Sequence, residues 1–217
     1  MSRYHLHTRM SVFILSLACI LFTPFSSQAL EFAADDILIA GYDPLSRYIG
    51  FVLTHESGGG NEIWWAIELA TGKAVCCYDL RRMSLEEGGM QAVYRARAQQ
   101  RFADLKLGEG TDVRTSRNGD ELELPDGSLH IEESKGGFAF TVFYVGRDGM
   151  KVAVYSNDLT NMRNELGQPP GYYFGGGKIS HDGNWLAMIL DYENGEQSSL
   201  PKLKLIIINL TNSRDEP

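Results

Sequence analysis

The residue types that could carry catalysis occur at spacings that do not support it. Ser180-His181-Asp182 contains the residue types of a hydrolase triad, but a triad needs side chains that converge from separate elements. Gly175–Lys178 ends in the Gly-Lys pair of a phosphate loop. Tyr172 stands where that motif needs its first glycine, and Ile179 stands where it needs Ser or Thr. We therefore predict no catalytic residue.

Candidate metal ligands are also scattered along the chain. His55, His130 and His181 have no His or Cys partner at zinc spacing. Asp182-Gly183-Asn184 is typical of a turn, because too few carboxylates follow it for a calcium loop. We expect no metal and no cofactor. Carboxylate pairs such as Glu132-Glu133 are expected to be solvated, although a distant pair that converges in the fold would suit a glycosidase.

One adjacent cysteine pair, Cys76-Cys77, lies in a predicted strand. Neighbouring residues on a strand point to opposite faces, so a ring that joins the two sulfurs would be strained. We predict two small apolar strand residues. The alternative is a vicinal disulfide that acts as a redox switch.

Three aromatic residues are candidates for binding a partner. Trp64 points away from the apolar face of its strand, and Tyr172 and Tyr173 adjoin a glycine run predicted to be a flexible loop. Exposed aromatic rings beside mobile loops suit contact with a peptide or a glycan. The alternative is that these rings cover a second buried face of a two-layer β structure.

Three arginines complete the predicted binding set. Arg95, Arg97 and Arg101 form a basic strip on the outer face of a predicted helix. On an acidic protein, such a strip could be a docking face. The alternative is a solvated face whose arginines pair with nearby carboxylates.

The elements that must position these residues are mostly strands. Tyr42–Leu53 aligns with Ile179–Leu190, and each copy has a polar turn, an aromatic residue and an apolar run. Each is followed by a second apolar strand, Ile63–Leu69 in the first copy and Leu203–Leu210 in the second. Leu30–Asp36 is predicted to be a short lead-in, and Ile37–Ala40 is predicted to be the first strand.

A single helix interrupts the strands. A capping box at Ser84–Glu87 precedes Gly88-Gly89, which is predicted to interrupt the helical pattern. Apolar residues then recur at helical spacing on one face and predict an amphipathic helix over Met90–Leu105: Met90, Val93, Tyr94, Ala98, Phe102 and Leu105. After the helix, the turn residues Pro125–Ser128 and Gly146–Gly149 each predict a hairpin. Together the elements predict a mainly β fold of antiparallel, blade-like hairpins, in a sandwich or an incomplete propeller, with this helix inserted.

The N-terminal residues predict export. Arg3 and Arg9 precede the apolar run Val12–Phe22, whose 11 residues fall short of the roughly 20 that span a bilayer. Ser27-Gln28-Ala29 offers a cleavage site, so we predict a signal peptide over residues 1–29 and a single β-rich domain over residues 30–217. Removing the leader changes the net charge from −8 to −10. An acidic chain has little attraction for nucleic acid or anionic membrane surfaces, so we expect neither as a partner.

Both copies of the repeated unit resemble blades of TolB-type and WD-type propellers. The matching residues are Asp43-Pro44, Tyr48–Phe51, Leu69–Gly72, Ser180, Asp182-Gly183, Trp185–Ala187 and Asn209-Leu210. The wider layout of signal peptide, blade-like opening, central helix and C-terminal strand pair is similar to that of a bacterial family of predicted secreted proteins of unknown function. The resemblance implies blade-like strands and an exported protein. It transfers no catalytic residue.

Together these features favour an exported, non-enzymatic binding protein of the bacterial envelope, periplasmic or secreted. Its expected partner is another envelope or secreted protein. One alternative is an envelope hydrolase, which would need a concave pocket with two or more carboxylates of shifted pKa, or a histidine with a nucleophile. The other alternative is a structural subunit of an envelope assembly.

Overall fold

The computed structural model describes residues 29–55, 61–80, 88–134, 136–160, 169–193 and 203–211. Residues 1–28 of the predicted signal peptide, the predicted capping box Ser84–Glu87 and most of the glycine-rich loop after His55 lie outside them. The strands are β1 Leu30–Ala34, β2 Asp36–Tyr42, β3 Tyr48–His55, β4 Asn61–Glu68, β5 Lys73–Asp79, β6 Thr111–Thr115, β7 Glu121–Leu124, β8 Gly127–Glu133, β9 Ala139–Gly146, β10 Lys151–Asp158, β11 Gly171–Ile179, β12 Trp185–Glu193 and β13 Leu203–Asn209. The helix α1 spans Gly88–Asp104.

These strands form two antiparallel sheets. Strands β2-β3-β4-β5 make a four-stranded meander, and the second sheet has the order β1-β13-β12-β11-β6-β7-β8-β9-β10. The nine-stranded sheet curls until β10 meets β13 through side chains, where Lys204 Nζ donates to Tyr155 Oη at 3.3 Å. The predicted mainly β, antiparallel fold of blade-like hairpins with one inserted helix is confirmed.

The two aligned units have the same turn geometry. Asp43 N donates to Tyr48 O at 3.1 Å, and Ser180 N donates to Trp185 O at 2.9 Å. A side-chain hydrogen bond joins the same two residues in each unit. Asp43 Oδ1 accepts from Tyr48 N, and Ser180 Oγ accepts from Trp185 N. The alignment of the two stretches therefore identifies a real structural repeat.

Ser46 and Gly183 occupy equivalent places in the two turns. Their backbone φ angles are 52° and 74°. This left-handed region suits glycine and costs other residues roughly 1–2 kcal/mol. Ser46 compensates because its hydroxyl is hydrogen-bonded to the Asp182 carboxylate of the other turn. The two units are thus joined at their turns.

Strands β12 and β13 are buried on both faces. Leu205 and Ile207 pack against the four-stranded sheet, while Ile206 and Ile208 face the concave core of the curled sheet. Alternate side chains of one strand point to opposite faces, so these strands serve two cores at once. The layers of the molecule are, in order, the helix, the four-stranded sheet, strands β12 and β13, and the opposite side of the curled nine-stranded sheet.

The prediction that Leu30–Asp36 is a lead-in was wrong. Leu30–Ala34 forms β1 and pairs with β13, with Leu30 opposite Ile207. Its partner lies at the other end of the chain. The pattern within five residues could not show this pairing, because the stability of β1 comes from long-range contacts.

The predicted loop Gly175–Gly177 is also part of a strand. These glycines lie within β11, where the pairing with β12 shifts register between Phe174 and Gly176. A Cβ on Gly177 would stand 2.6 Å from the carbonyl oxygen of Ala187. Glycine is used here because backbones approach closely and the strand bulges, so the run is not the flexible loop that was predicted.

The helix begins at Gly88, and the predicted interruption by Gly88-Gly89 does not occur. The cost of glycine applies fully only in a helix interior, and these residues form the first turn. Ala98 and Phe102 are buried as predicted, whereas Val93 is 44% exposed. The apolar stripe that contacts the sheet is therefore narrower than predicted. No described helix is long and apolar enough to cross a membrane.

Cys76 and Cys77 point to opposite faces of β5, as predicted. Cys76 is buried and Cys77 is exposed, and neither forms a disulfide in the described part of the chain. Burial raises the pKa of the Cys76 thiol. A small apolar role therefore suits Cys76.

Candidate functional site

Trp64, one of the predicted binding residues, lies between the helix and the four-stranded sheet. Its ring meets Phe102 edge-on, with 5.2 Å between centroids. Its indole N–H donates to Glu62 Oε2 at 2.8 Å. These contacts leave Trp64 half-buried. This agrees with the alternative interpretation, in which the ring covers a second buried face of the sheet.

Tyr172 and Tyr173 point to opposite faces of β11. The Tyr172 ring lies 4.3 Å from that of Phe140, and its hydroxyl donates to Gly137 O at 3.0 Å. Burial, with a smaller contribution from nearby carboxylates, raises the pKa of Tyr172 to about 12. Tyr173 is 39% exposed. Tyr172 therefore belongs to the concave core, and Tyr173 lies on the surface.

The three arginines have different surroundings. Arg95 is half-buried and holds both Glu62 oxygens, each at 3.0 Å, in a bidentate pair. Arg97 lies over the Tyr94 ring at 5.3 Å from its centroid, and Arg101 is exposed. Trp64 and Arg95 thus converge on Glu62, and the predicted binding residues do not form one site.

A cleft that the sequence analysis did not predict lies beside β10, the last strand of the curled sheet. Its volume is about 390 Å³. Three carboxylates, three hydroxyls, one amide and an apolar floor line it: Glu132, Glu133, Ser134, Ala139, Phe140, Thr141, Phe143, Ser156, Asn157 and Asp158. We call these ten residues the acidic cleft.

Two hairpins bring the acidic cleft together. The register places Thr141 opposite Glu132 on β8 and opposite Ser156 on β10. Directly opposed residues share a face of a sheet, so these three point the same way. The Thr141 and Ser156 hydroxyls are hydrogen-bonded at 3.1 Å. The floor of the cleft therefore follows β9, with walls on either side.

An ammonium group already stands at one end of this floor. Lys151 Nζ pairs with Glu132 Oε1 and lies over the Phe143 ring, 4.1 Å from its centroid. An aromatic face attracts a cation through its quadrupole, and the carboxylate adds a charge of opposite sign. This end of the acidic cleft therefore already holds a primary ammonium.

Asp158 closes the other wall. Its carboxylate accepts from Thr160 N at 2.8 Å. The Thr160 hydroxyl and N–H lower the pKa of Asp158. These hydrogen bonds favour the ionised form of the carboxylate.

Aromatic side chains of the concave core pack beneath the cleft. Asn157 Nδ2 donates to Tyr192 Oη at 3.1 Å, and the Phe140 ring packs between Tyr155 and Tyr172. Burial raises the pKa of the Tyr155 and Tyr192 hydroxyls, so both stay neutral. The rigid aromatic cluster holds β9 and β10 in place and leaves the polar lining preorganised.

The pairings that form this cleft do not follow from a simple count along the sequence. Glu132 pairs with Thr141 across β8 and β9. Thr141 pairs with Ser156 because the register of β9 and β10 shifts between Ala153 and Tyr155. The sequence therefore predicted only a solvated Glu132-Glu133 pair.

The described residues contain no group of three or more His, Cys, Asp or Glu side chains that could hold a metal ion. His130 has a hydroxyl neighbour, Ser128 Oγ at 2.8 Å, but both stand on one strand at the surface. No model of a known protein family matches the chain, and no curated protein matches it.

Proposed function

We propose that this chain is an exported, non-enzymatic binding protein of the bacterial envelope, and that the acidic cleft is its recognition site. The partner is another envelope or secreted protein. The observation that carries the proposal is the preorganised polar cleft at the last strand of a sheet. Export is supported by the charge and apolar pattern of residues 1–29.

The state of the cleft carboxylates supports binding in preference to hydrolysis. A glycosidase needs one carboxylic acid of raised pKa to protonate the leaving group. Asp158 has a lowered pKa because of its hydrogen bonds to Thr160, and Glu132 is held by the Lys151 ammonium. Fixed charges of this kind provide electrostatic complementarity to a partner.

The position of β10 supports a protein as the partner. β10 pairs with β9 on one side and ends the order of strands in its sheet. Edge strands present backbone groups that a chain segment can approach. A segment that lies along β10 would pass directly over Ser156 and Asp158, which are exposed on that strand. A partner chain can thus contact the edge and the cleft together.

Affinity capture tests this proposal. The mature chain and its double variant Glu133→Gln/Asp158→Asn would be immobilised and incubated with envelope extract, and captured proteins would be quantified by mass spectrometry. We expect one or a few proteins that the wild type captures and the double variant loses at least about tenfold, because buried charge pairs at interfaces are worth a few kcal/mol.

The control is Glu123→Gln, a carboxylate change on the neighbouring β7 outside the cleft. It should leave capture unchanged. Identical captured sets for the wild type and the double variant would contradict the proposal. So would hydrolysis of an extract component by the wild type that the double variant fails to carry out.

A further inference from the structure

We infer that the curled nine-stranded sheet opens along one seam, where β10 meets β1 and β13, and that Glu31, Lys204 and Tyr155 form a clasp that keeps this seam closed. The opening is a conformational change built into the fold. In it, the side chains of β10 leave β1 and β13 while the strands keep their backbone pairing. The inference does not depend on the partner or on the acidic cleft of the proposed function.

The first support is the way in which the sheet ends. β1 and β10 are its two terminal strands, and each is paired on one side, β1 with β13 and β10 with β9. In a closed barrel, backbone hydrogen bonds run all the way round, so that no edge is left. Among the described strands, no backbone ladder joins β10 to β1 or β13. The sheet curls as a barrel does, but side chains take the place of the ladder at the seam.

The three side chains of the clasp bond to one another across the seam. Lys204 Nζ lies 2.7 Å from Glu31 Oε2 and donates to Tyr155 Oη at 3.3 Å. The Tyr155 hydroxyl is in turn hydrogen-bonded to the Glu31 carboxylate. Glu31 lies on β1, Lys204 on β13 and Tyr155 on β10. The clasp therefore ties the last strand of the sheet to the first strand and its neighbour.

A β-bulge in β10 directs Tyr155 toward the clasp. The pairing of β10 with β9 shifts register between Ala153 and Tyr155. Neighbouring residues of a regular strand point to opposite faces, yet Val154 and Tyr155 are both buried, at 6% and 7% exposure. A regular strand would turn one of these two residues away from the concave core. Bulges commonly re-aim a side chain in this way.

The seam is held by fewer bonds than the rest of the sheet. Besides the clasp, Asn157 on β10 donates to the Tyr192 hydroxyl of β12 at 3.1 Å. The Lys204 and Glu31 side chains are 20% and 41% exposed, so water reaches the clasp. Proteins open first where few contacts hold them together. The seam is therefore expected to open before any of the backbone ladders separates.

Opening of the seam would uncover the aromatic cluster of the concave core. The Tyr155 ring lies 5.9 Å from that of Phe140, and the Tyr172 and Tyr192 rings are 5.6 Å apart. All four rings are buried while the clasp is closed. The clasp thus controls access to the inner aromatic surface of the curled sheet.

Thiol labelling of the folded mature chain tests the inference, because a buried cysteine reacts only when its surroundings open. The chain would carry Cys76→Ala and Cys77→Ser, with Val154→Cys as the reporter beside the clasp. Lys204→Met should raise the labelling rate of this reporter about tenfold or more, the factor that one hydrogen bond to a charged group supports.

The matched control reporter is Val113→Cys in the same background. Val113 belongs to the same core and is 8% exposed, but it lies on β6, which is paired on both sides. Its labelling rate should change less than about twofold in Lys204→Met, because a local opening leaves distant pairing intact.

Two further measurements separate the clasp from a general loss of stability. Glu31→Gln keeps the shape of the side chain and removes its charge, so it should raise labelling at position 154 as well, and it serves if Lys204→Met does not fold. Sodium chloride at about 1 M should raise labelling at position 154 when the clasp is intact, because salt screens partly exposed charges. The salt should have no effect in Lys204→Met.

Two results would overturn the inference. Unchanged labelling at position 154 in both Lys204→Met and Glu31→Gln would show that the clasp does not hold the seam. Equal increases at positions 154 and 113 would show that the variants destabilise the whole sheet and that no separate seam exists. Either result would leave the proposed function standing, since that function is tested by capture of a partner at the acidic cleft.

Discussion

Asp43 and Asp182 show how single carboxylates organise the repeated turns. Asp43 is 1% exposed, and its Oδ1 accepts from Arg47 N at 2.5 Å and Tyr48 N at 2.7 Å. Asp182 accepts from Ser180 Oγ at 2.5 Å within its own turn and from the Ser46 hydroxyl of the other. Buried polar groups stabilise a fold only when their partners are in place.

Asp43→Ala should lower the free energy of unfolding by about 3 kcal/mol, because two backbone N–H groups lose their acceptor in a buried turn. Urea unfolding at neutral pH measures this change. The matched control is Asp148→Ala, where an exposed turn carboxylate accepts from Met150 N at 3.0 Å. The control should change stability by less than about 0.5 kcal/mol. Equal effects of the two substitutions would contradict the role given to Asp43.

Asp182 should give the protein a measurable acid sensitivity. Burial alone would raise the pKa of Asp182, but hydrogen bonds from Ser180, Asn184 and Ser46 outweigh it and lower the pKa below 3.8. A carboxylate with a lowered folded pKa contributes stability above its unfolded pKa, and that contribution is lost as the pH falls through the folded value.

Asp182→Asn should therefore be less stable than the wild type at pH 7, and the difference should narrow as the pH falls from about 5 to below 3. Urea unfolding of both proteins across this range tests the prediction. A difference that stays constant with pH would show that the carboxylate charge plays no part in the link between the turns.

At the scale of elements, an aromatic contact helps to hold the helix on the four-stranded sheet. Phe102 is 6% exposed and packs on Trp64 across the outer face of the four-stranded sheet. The Arg95–Glu62 pair lies beside this contact. Since Val93 and Arg97 face solvent, the helix is attached along a narrow stripe.

Phe102→Ala should lower the free energy of unfolding by about 3–4 kcal/mol, because it removes a buried ring and leaves a cavity. Val93→Ala, on the exposed side of the same helix, should change it by less than about 0.5 kcal/mol. Urea unfolding of both variants provides the comparison. A small effect of Phe102→Ala would mean that the helix adds little to the stability of the sheet.

Local pairing could be predicted from the sequence, and long-range pairing could not. The hairpins β7-β8 and β9-β10 follow turn residues that stand between their strands, and both are present as expected. β1 finds its partner β13 across nearly the whole chain. The glycines of β11 suggested a loop because their role, close approach to β12, depends on the neighbouring strand.

The difference between local and long-range structure also explains which site residues could be predicted from the sequence. Trp64 and Tyr172 looked exposed because strand alternation shows which face a residue is on, and it does not show what covers that face. Trp64 is covered by the helix, and Tyr172 is covered by the curl of the sheet. The acidic cleft needs three strands in register, so single carboxylates in the sequence did not reveal it.

At the scale of the whole molecule, strands that belong to two cores join the two sheets. Ile207 on β13 is fully buried among residues of the four-stranded sheet, and its neighbours Ile206 and Ile208 face the concave core. Tightly packed layers that share strands unfold together, so a single cooperative transition is expected for the described fold.

Ile207→Ala should destabilise both sheets equally, by about 2–5 kcal/mol. Two single-tryptophan variants would report on them, one that keeps Trp64 in β4 and one that keeps Trp185 in β12. We expect both fluorescence signals to show one urea midpoint, shifted by the same amount in Ile207→Ala. Leu38→Ala, at a side chain that is 63% exposed, is the control and should leave both midpoints in place. Separate midpoints would show that the sheets are independent.

The most direct test of the central claim, that partner binding occurs at the acidic cleft, is photo-crosslinking in living cells. A photoreactive amino acid would replace Ser156 in the cleft or, as the control, the exposed Val93 on the helix. We predict a discrete adduct with an envelope or secreted protein from position 156, absent at position 93 and lost in the Glu133→Gln/Asp158→Asn background. An adduct from position 93 alone, or the same adducts from both positions, would contradict the claim.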